Sequence, residues 1–295
     1  MTLEKPAANS VPGTNIALKT LSGSFGAEVC GIDLSDLDAV DFEQVYRLMV
    51  EHKVVVFRDQ HLSLDTYLAF AKRWGAIHKH PFMRSLDSHP GVLEIVKTET
   101  DKRAFGNAWH SDQMFNPMPA KFTMLYAREV PGRGGDTMFA NMSAAYDSLS
   151  DGMKTMLGDL RGWNVGSREK LRAASTVPSN SRPPKGMQEE TPPENQQTEA
   201  SHPLVRTHKD SGDKTLYFGG HTMYIDGMTP PESAPILRYL QSVVTRPEFL
   251  CRVEWEVDSL TIWDNRCVQH YAVDDYDGQR RRMHRITIAG DEVPI

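Results

Sequence analysis

Four consecutive residues, Val54-Val55-Val56-Phe57, constrain the fold of this chain more than any other local feature. A run of β-branched and aromatic residues without alternation is typical of a strand that is buried on both faces. The segments on either side, 41–52 and 64–75, have apolar residues at helical spacing, and Asp41 is a candidate N-cap for the first of them. The sequence therefore predicts a helix, a fully buried strand and a second helix in succession.

The rest of the chain is dominated by short strand patterns that are separated by turn residues. Strands are predicted at 15–18, 24–29, 91–97, 121–127, 137–139, 203–207, 215–219, 252–257, 259–264 and 285–289, and helices at 141–160 and 229–244. Many short strands with a few flanking helices indicate a mainly β fold, a β-sandwich or a jelly roll.

The chain is predicted to form a single domain over 15–295, after a disordered N-terminus at 1–14. Its 295 residues lie within the range that β-barrels and sandwiches reach as one unit. The segment 175–201 is rich in proline and polar residues and has almost no large hydrophobic side chains. Because it cannot bury enough apolar surface to offset its ordering entropy, it is predicted to be a mobile insertion, of a length that is often a lid.

The net charge and the cysteine content limit the kinds of binding partner and the cellular compartment that we expect. A net charge of -6 argues against binding to nucleic acid or to an anionic membrane surface. No signal peptide and no apolar stretch of membrane-spanning length is visible. Three cysteines without CxxC spacing favour a reducing, cytoplasmic location. A homo-oligomer is compatible with the sequence.

The strongest chemical signal is Trp109-His110-Ser111-Asp112. In an extended segment, His110 and Asp112 project from one face and can bind one cation. The third ligand is predicted to be His270, far downstream. Two histidines and one carboxylate on one face of an octahedral metal are the arrangement of non-heme Fe(II) oxygenases. The His-x-Asp pair alone would equally suit a surface pair, so the assignment depends on what surrounds it.

The surrounding motifs supply that context. Gly134-Gly135-Asp136-Thr137, the run 262–266 (Ile-Trp-Asp-Asn-Arg) before His270, and the arginines of 280–285 occur together with the His-x-Asp pair. This combination resembles the taurine and dichlorophenoxyacetate dioxygenase family of Fe(II)- and 2-oxoglutarate-dependent enzymes. The resemblance runs from the strand at Val54 to Gly290 and is weakest across 175–201. It implies a double-stranded β-helix, which is a cupin-like jelly roll.

The resemblance also assigns residues. It makes His110, Asp112 and His270 the ligands of Fe(II), with open sites for 2-oxoglutarate and O2. It places Arg281 and Thr137 on the distal carboxylate of 2-oxoglutarate, since a planar guanidinium binds a carboxylate bidentately.

The substrate side of the site follows from the same resemblance. Arg285 is assigned to an anionic group of the prime substrate, and weaker matches assign His80 to the same group and Phe115 to an aromatic wall. Trp263 is expected near the iron.

The function implied is hydroxylation of a small anionic organic substrate, a sulfonate, sulfate ester or aryloxy or alkyl carboxylate, with release of succinate and CO2. Met83, Gln113 and the segment 218–221 depart from the pattern of the taurine enzymes, which puts taurine itself in doubt. Two alternatives stay open at this point. One is a non-redox metal-binding jelly roll, and the other is a tailoring hydroxylase of an amino acid or natural product.

Overall fold

The computed structural model describes residues 9–10, 16–166, 187–191 and 196–295. In chain order the strands are β1 (Asn9–Ser10), β2 (Ala17–Thr20), β3 (Ala27–Cys30), β4 (Val54–Phe57), β5 (Leu93–Lys97), β6 (Phe122–Glu129), β7 (Thr137–Asn141), β8 (Arg161–Val165), β9 (Glu199–Pro203), β10 (Val205–Thr207), β11 (Lys214–Leu216), β12 (Thr222–Ile225), β13 (Leu250–Val253), β14 (Leu260–Asp264), β15 (Val268–Ala272) and β16 (Arg281–Thr287). The helices are α1 (Ala39–His52), α2 (Leu64–Lys72), α3 (Met142–Asp147), α4 (Asp151–Leu157) and α5 (Pro230–Val244), with 3-10 turns at Leu34–Asp36 and Pro247–Phe249.

Two sheets form the centre of the fold. The larger has the strand order β1-β2-β3-β4-β14-β6-β16-β5, antiparallel except for the β3–β4 pair, and the smaller has the order β13-β7-β15. One apolar cluster joins them, with Val54, Leu125 and Met283 from the larger sheet and Phe139 and Val268 from the smaller. This mainly β architecture of facing sheets with flanking helices is the predicted jelly roll.

The run at 54–57 is buried on both faces, as predicted. Val54 and Val56 belong to the apolar cluster between the sheets, whereas Val55 and Phe57 belong to the cluster under α1 and α2. Successive side chains of a strand point to opposite faces. Burial of each such side chain is worth about 1.5–3 kcal/mol relative to exposure, so this strand anchors both layers.

Several element boundaries differ from those predicted. Helix α1 begins at Ala39, and its N-cap is Asp38, whose side chain accepts a hydrogen bond from the backbone N–H of Asp41. The helix predicted over 141–160 is two helices, because Ser150 has extended backbone angles and caps α4 through the N–H of Met153. The last strand begins earlier than predicted, at Arg281, which places Arg281 and Arg285 on the same strand.

The sequence patterns predicted only part of the two remaining sheets. The sheet β12-β8-β9 contains three strands that the sequence pattern did not predict, and β10-β11 is a shorter form of the predicted hairpin. Of the insertion predicted at 175–201, residues 175–186 and 192–195 lie outside the described residues. In its described part, Met187 is buried and residues 199–201 belong to β9, which pairs with β8.

The N-terminal prediction is largely outside the described residues. Of residues 1–14, only Asn9–Ser10 is described, as the strand that pairs with β2. Among the described residues, the helices are all too short or too polar to cross a membrane.

Candidate metal centre

The first and third predicted ligands are held side by side by backbone hydrogen bonds. His110 forms a bridge with His270, with N···O distances of 3.1 and 2.8 Å in the two directions. His270 lies on β15 and pairs with Phe139 of β7. The bridge therefore extends the smaller sheet and fixes both imidazoles at its edge.

His110, Asp112 and His270 form one cluster. Asp112 Oδ1 lies 3.7 Å from Nε2 of His110 and 3.8 Å from Nε2 of His270. The candidate ligand atoms lie within 4.8 Å of one another, and Asp112 and His270 are buried. Two imidazoles and one carboxylate around a common point form the facial metal site predicted from the sequence.

Asp112 is held as a carboxylate. Burial alone would raise its pKa, but the charge of Arg285, the two histidines and the hydrogen bond from Thr123 together hold the pKa of this carboxyl well below its usual range. Arg285 Nη2 lies 2.9 Å from Oδ1, and Thr123 Oγ1 donates to Oδ2 at 2.7 Å. The negative charge that a metal ion needs is therefore present at any ordinary pH.

Asn265 fixes the backbone of this ligand. Its Oδ1 accepts from the N–H of Asp112 at 3.1 Å and from Nε1 of Trp263 at 3.1 Å, and its Nδ2 donates to Thr123 Oγ1 at 2.9 Å. The sequence analysis singled out the segment 262–266 as a motif but gave Asn265 no role. Trp263 was predicted to lie near the metal, and an asparagine two residues after it was the signal that could have identified this role.

The histidines are neutral and correctly oriented for a metal. His110 Nδ1 lies 2.6 Å from the carbonyl of Ala108, and a carbonyl only accepts, so Nδ1 carries the proton and Nε2 keeps its lone pair. Burial lowers the pKa of both His110 and His270. For His270, Nδ1 is buried without a hydrogen-bond partner among the described residues.

A pocket beside the cluster contains the predicted cofactor residues. It is lined by Ile95, Phe105, Gly106, His110, Leu125, Thr137, Trp263, His270, Ala272, Arg281 and Arg285. Arg281 is buried, and its Nε and Nη2 have no hydrogen-bond partner among the described residues. Thr137 Oγ1 accepts from Nε1 of Trp255, whose ring lies 5.7 Å from the Arg281 guanidinium carbon. A buried guanidinium with unused donors in a pocket next to metal ligands fits the distal carboxylate of 2-oxoglutarate.

The predicted substrate residues differ in their contacts with the cluster. Arg285 lines the same pocket. Phe115 is farther out, 5.2 Å from the ring of His221, which in turn lies 6.1 Å from the ring of His110. The ring of His80 lies 6.3 Å from that of Phe82, and the ring of Phe82 lies 5.7 Å from that of Phe115. The structure thus groups Arg285 with the metal ligands and connects His80 to Phe115 through the ring of Phe82.

His221 is a site residue without an assigned role in the sequence analysis. It is brought close to His110 because Gly219 and Gly220 pack on the backbone of Trp109 and His110. A Cβ at Gly219 would lie 3.3 Å from the Cα of His110, and Gly220 N–H donates to the carbonyl of Trp109 at 2.9 Å. Burial lowers the pKa of His221 to about 4. The departure from the family pattern at 218–221 thus puts a neutral imidazole near the metal ligands.

A second cluster has metal-ligand residue types but a different function. His208, Asp264 and Cys267 are buried close together. However, Asp264 already receives two hydrogen bonds from the side chain of Arg266, at 2.9 and 2.6 Å, one from the backbone N–H of Arg266 at 2.9 Å, and one from His208 Nε2 at 3.0 Å. Since its carboxylate is saturated, this cluster is a structural ion pair behind the motif at 262–266.

This fold and this site define a class: a jelly-roll protein with a two-histidine, one-carboxylate centre and an arginine-lined pocket. Residues 17–287 match the family described as "Taurine catabolism dioxygenase TauD, TfdA family". The chain belongs to that family. It is a 2-oxoglutarate-dependent dioxygenase, with Fe(II), 2-oxoglutarate and O2 as its metal and cosubstrates.

Individual relatives agree with this placement. The chain is 36% identical to an alpha-ketoglutarate-dependent sulfate ester dioxygenase of Pseudomonas putida, over 93% of this chain and 89% of the relative. It is 32% identical to an alpha-ketoglutarate-dependent 2,4-dichlorophenoxyacetate dioxygenase of Cupriavidus pinatubonensis, over 95% and 99%. The crystal structure of a taurine dioxygenase from Burkholderia xenovorans superimposes with a TM-score of 0.79 at 30% identity, covering 96% of this chain and 93% of that one. The predicted family, fold and enzyme class are confirmed, and the alternative of a non-redox jelly-roll protein is not supported.

Proposed function

We propose that this dioxygenase hydroxylates a small organic monoanion at a carbon that is bonded to an ester or ether oxygen, with sulfate esters and aryloxy acids as the first candidates. The observation that carries the proposal is Arg285. It is buried in the pocket beside the metal ligands, and its Nε and Nη2 lack hydrogen bonds to the described residues, although Nη2 forms the ion pair with Asp112. A buried guanidinium with donors to spare favours an anionic partner.

The charges of the pocket favour one negative charge on the substrate. Arg281 and Arg285 contribute two positive charges and Asp112 one negative charge, while burial lowers the pKa of both ligand histidines and leaves them neutral. Fe(II) and the dianion of 2-oxoglutarate cancel each other. One positive charge remains, and a buried uncompensated charge is costly, so a monoanion balances the site.

Each residue has a defined role in this proposal. His110, Asp112 and His270 hold Fe(II), and Arg281 with Thr137 holds the distal carboxylate of 2-oxoglutarate. Arg285 orients the anionic group of the substrate, and Phe115 borders its organic part. His80 donates a hydrogen bond to the same anionic group.

The bound iron and 2-oxoglutarate supply the oxidising chemistry, and the protein supplies position and exclusion of water. Thr123 and Asn265 keep the carboxylate of Asp112 in place during turnover.

The reaction balances without a further reactant. One oxygen atom of O2 enters succinate as 2-oxoglutarate loses CO2, and the other enters the substrate C–H bond. For a sulfate ester, the hydroxylated carbon then expels sulfate by cleavage of its C–O bond and becomes an aldehyde. For an aryloxy acid, the same cleavage releases a phenol. The names of the P. putida and C. pinatubonensis relatives support these two substrate classes.

Succinate release across a substrate panel tests the proposal. Anaerobic Fe(II) and 2-oxoglutarate should produce the weak visible metal-to-ligand band of this enzyme class, and aerobic succinate release should be stimulated by alkyl sulfates or aryloxyacetates. Sulfonates and amino acids in the same panel test the other predicted classes. Retention of the band in a folded His110→Ala protein would contradict the metal assignment. Stimulation by amino acids alone would replace the substrate assignment with that of a tailoring hydroxylase.

A further inference from the structure

Gly166, at the end of β8, lies directly against the ring of Phe115. A Cβ atom built on Gly166 would lie 2.7 Å from both Cδ2 and Cγ of Phe115 and 2.9 Å from Cδ1. Real Cβ atoms essentially never approach other atoms that closely. The ring of Phe115 therefore occupies the space that any side chain at position 166 would need.

The glycine is required for space and not for backbone conformation. Gly166 is not among the glycines with a positive φ, so an L-residue can adopt its backbone angles. Its backbone is also fixed, because the N–H of Gly166 donates to the carbonyl of Thr198 at 2.8 Å, next to the β8–β9 ladder. A side chain added here would move Phe115 and leave the strand in place.

The ring of Phe115 is connected to the metal ligands through His221. Its buried ring packs between Phe82, at 5.7 Å, and His221, at 5.2 Å. The Nδ1 of His221 is bonded to the carbonyl of Val165 at 3.1 Å, and its ring lies 6.1 Å from that of His110. Of these two neighbouring rings, His221 is the one next to His110, so a Phe115 ring displaced toward His221 would approach the metal ligands.

We propose that Gly166 is a specificity-determining residue, which lets the Phe115 ring recede and so admits a substrate whose organic group is wider than a linear alkyl chain. The inference rests on the proposed function for the anionic end of the substrate. It adds the shape of the other end: an aryl or branched group that packs against Phe115 and His221. Aromatic walls hold such groups by edge and face contacts.

The test compares two substrates with the same reacting group, ethyl sulfate and 2-phenylethyl sulfate. Gly166→Ala should lower kcat/KM for 2-phenylethyl sulfate by roughly 10- to 100-fold relative to ethyl sulfate, the range that one methylene group commands in a pocket. Gly166→Val should lower it further. Adding Phe115→Leu to Gly166→Ala should restore the ratio, because the two side chains compete for one space. Gly152→Ala is the matched control, since a Cβ there meets nothing within 4 Å.

An unchanged ratio in Gly166→Ala, or a loss that Phe115→Leu does not restore, overturns the inference. If Gly166→Ala does not fold, Phe115→Leu alone decides, since it should raise the relative kcat/KM for the wider substrate, and no change overturns the inference. If the wild-type enzyme accepts no sulfate, the proposed substrate class fails separately. A crystal structure of Gly166→Ala then decides this inference: a ring displaced toward His221 supports it and an unmoved ring overturns it.

Discussion

Arg285 Nη2 lies 2.9 Å from Asp112 Oδ1, the oxygen that also faces Nε2 of His110 and His270. A metal ion held by His110, Asp112 and His270 would compete with the Arg285 guanidinium for this carboxylate oxygen. Without metal, Arg285 neutralises a buried Asp112. With metal bound, part of that interaction would be given up, and in the proposed function the donors of Arg285 would then be available to the substrate.

Arg285→Gln should separate these two effects. Loss of the guanidinium removes a charged hydrogen bond to the substrate, so kcat/KM should fall by about 100-fold or more, as expected for a loss of about 3 kcal/mol or more. Fe(II) should bind as tightly as in the wild type or more tightly, because a competing cation is gone. The metal-free protein should have a lower Tm, since Asp112 is then buried without its partner. Steady-state kinetics, Fe(II) titration and thermal unfolding measure the three quantities.

Arg282→Gln is the matched control on the same strand. Arg282 is half-exposed and faces Glu94 and Glu129 on the other side of β16. An exposed ion pair contributes at most about 1 kcal/mol, so this variant should keep wild-type kinetics. Weaker Fe(II) binding in Arg285→Gln would contradict the competition described above.

Arg281→Lys and Arg281→Gln should weaken 2-oxoglutarate binding to different extents. The unused Nε and Nη2 of Arg281 are the pair of donors that a carboxylate needs. Lysine keeps the charge but cannot bind bidentately, so it should recover only part of the affinity that glutamine loses. Anaerobic titration of the visible band with 2-oxoglutarate gives the dissociation constants. Arg280→Gln, which removes an exposed partner of Glu129, should leave them unchanged. If Arg281→Gln and the wild type bind 2-oxoglutarate with equal affinity, Arg281 does not contact this cosubstrate.

The layered fold could be predicted from local patterns, because the run at 54–57 is apolar without alternation and its neighbours have helical spacing. Strands β8 and β12 could not. Their sequences, Arg-Gly-Trp-Asn-Val and Thr-Met-Tyr-Ile, have no clear alternation, and partners distant in the chain stabilise them. The break at Ser150 was missed because the apolar spacing continues through it, whereas the N-cap hydrogen bond that ends the regularity is a local polar feature.

The cluster of His110, Asp112 and His270 could be predicted because the His-x-Asp pair occurs together with the motifs at 134–137, 262–266 and 280–285. The supporting residues could not, since Thr123 and Asn265 reach Asp112 from strand β6 and the end of β14, and no spacing in the sequence connects them. Gly166 was missed for a related reason. A glycine whose φ is not positive has no turn signal, and only the tertiary position of Phe115 explains it.

Thr123→Val should weaken Fe(II) binding by about 10- to 100-fold, the usual effect of removing a hydrogen bond to a metal ligand. The substitution keeps the shape of the side chain but removes the donor to Asp112 Oδ2 and the acceptor for Nδ2 of Asn265. Thr261→Val is the matched control on the adjacent strand, because Thr261 Oγ1 is buried without a hydrogen-bond partner among the described residues. That variant should keep Fe(II) affinity and be as stable as the wild type or more stable. Fe(II) titration of both proteins measures the difference, and equal affinities would show that Thr123 does not support the site.

His202 should make the protein less stable in mild acid. It is buried in β9, its Nε2 donates to the carbonyl of Asn116 at 2.9 Å, and its Nδ1 has no partner among the described residues. Burial is the main reason that its pKa falls to about 4. In the unfolded chain a histidine takes up a proton near pH 6.5. Between about pH 6.5 and 4 the unfolded state therefore binds a proton that the folded state does not, and stability falls as the pH falls.

The contribution of His202 over this window is on the order of 3 kcal/mol, from about 1.36 kcal/mol per pH unit. His202→Gln keeps a donor for Asn116 but does not titrate, so its free energy of unfolding should fall less steeply than that of the wild type between pH 6.5 and 4. Urea unfolding of the metal-free proteins at several pH values gives the difference. His61→Gln, at an exposed imidazole, should follow the wild type. The stabilisation that buried aspartates such as Asp264 contribute is lost only as the pH falls below about 4. If the free energies of unfolding of His202→Gln and the wild type fall in parallel above that pH, the prediction for His202 is wrong.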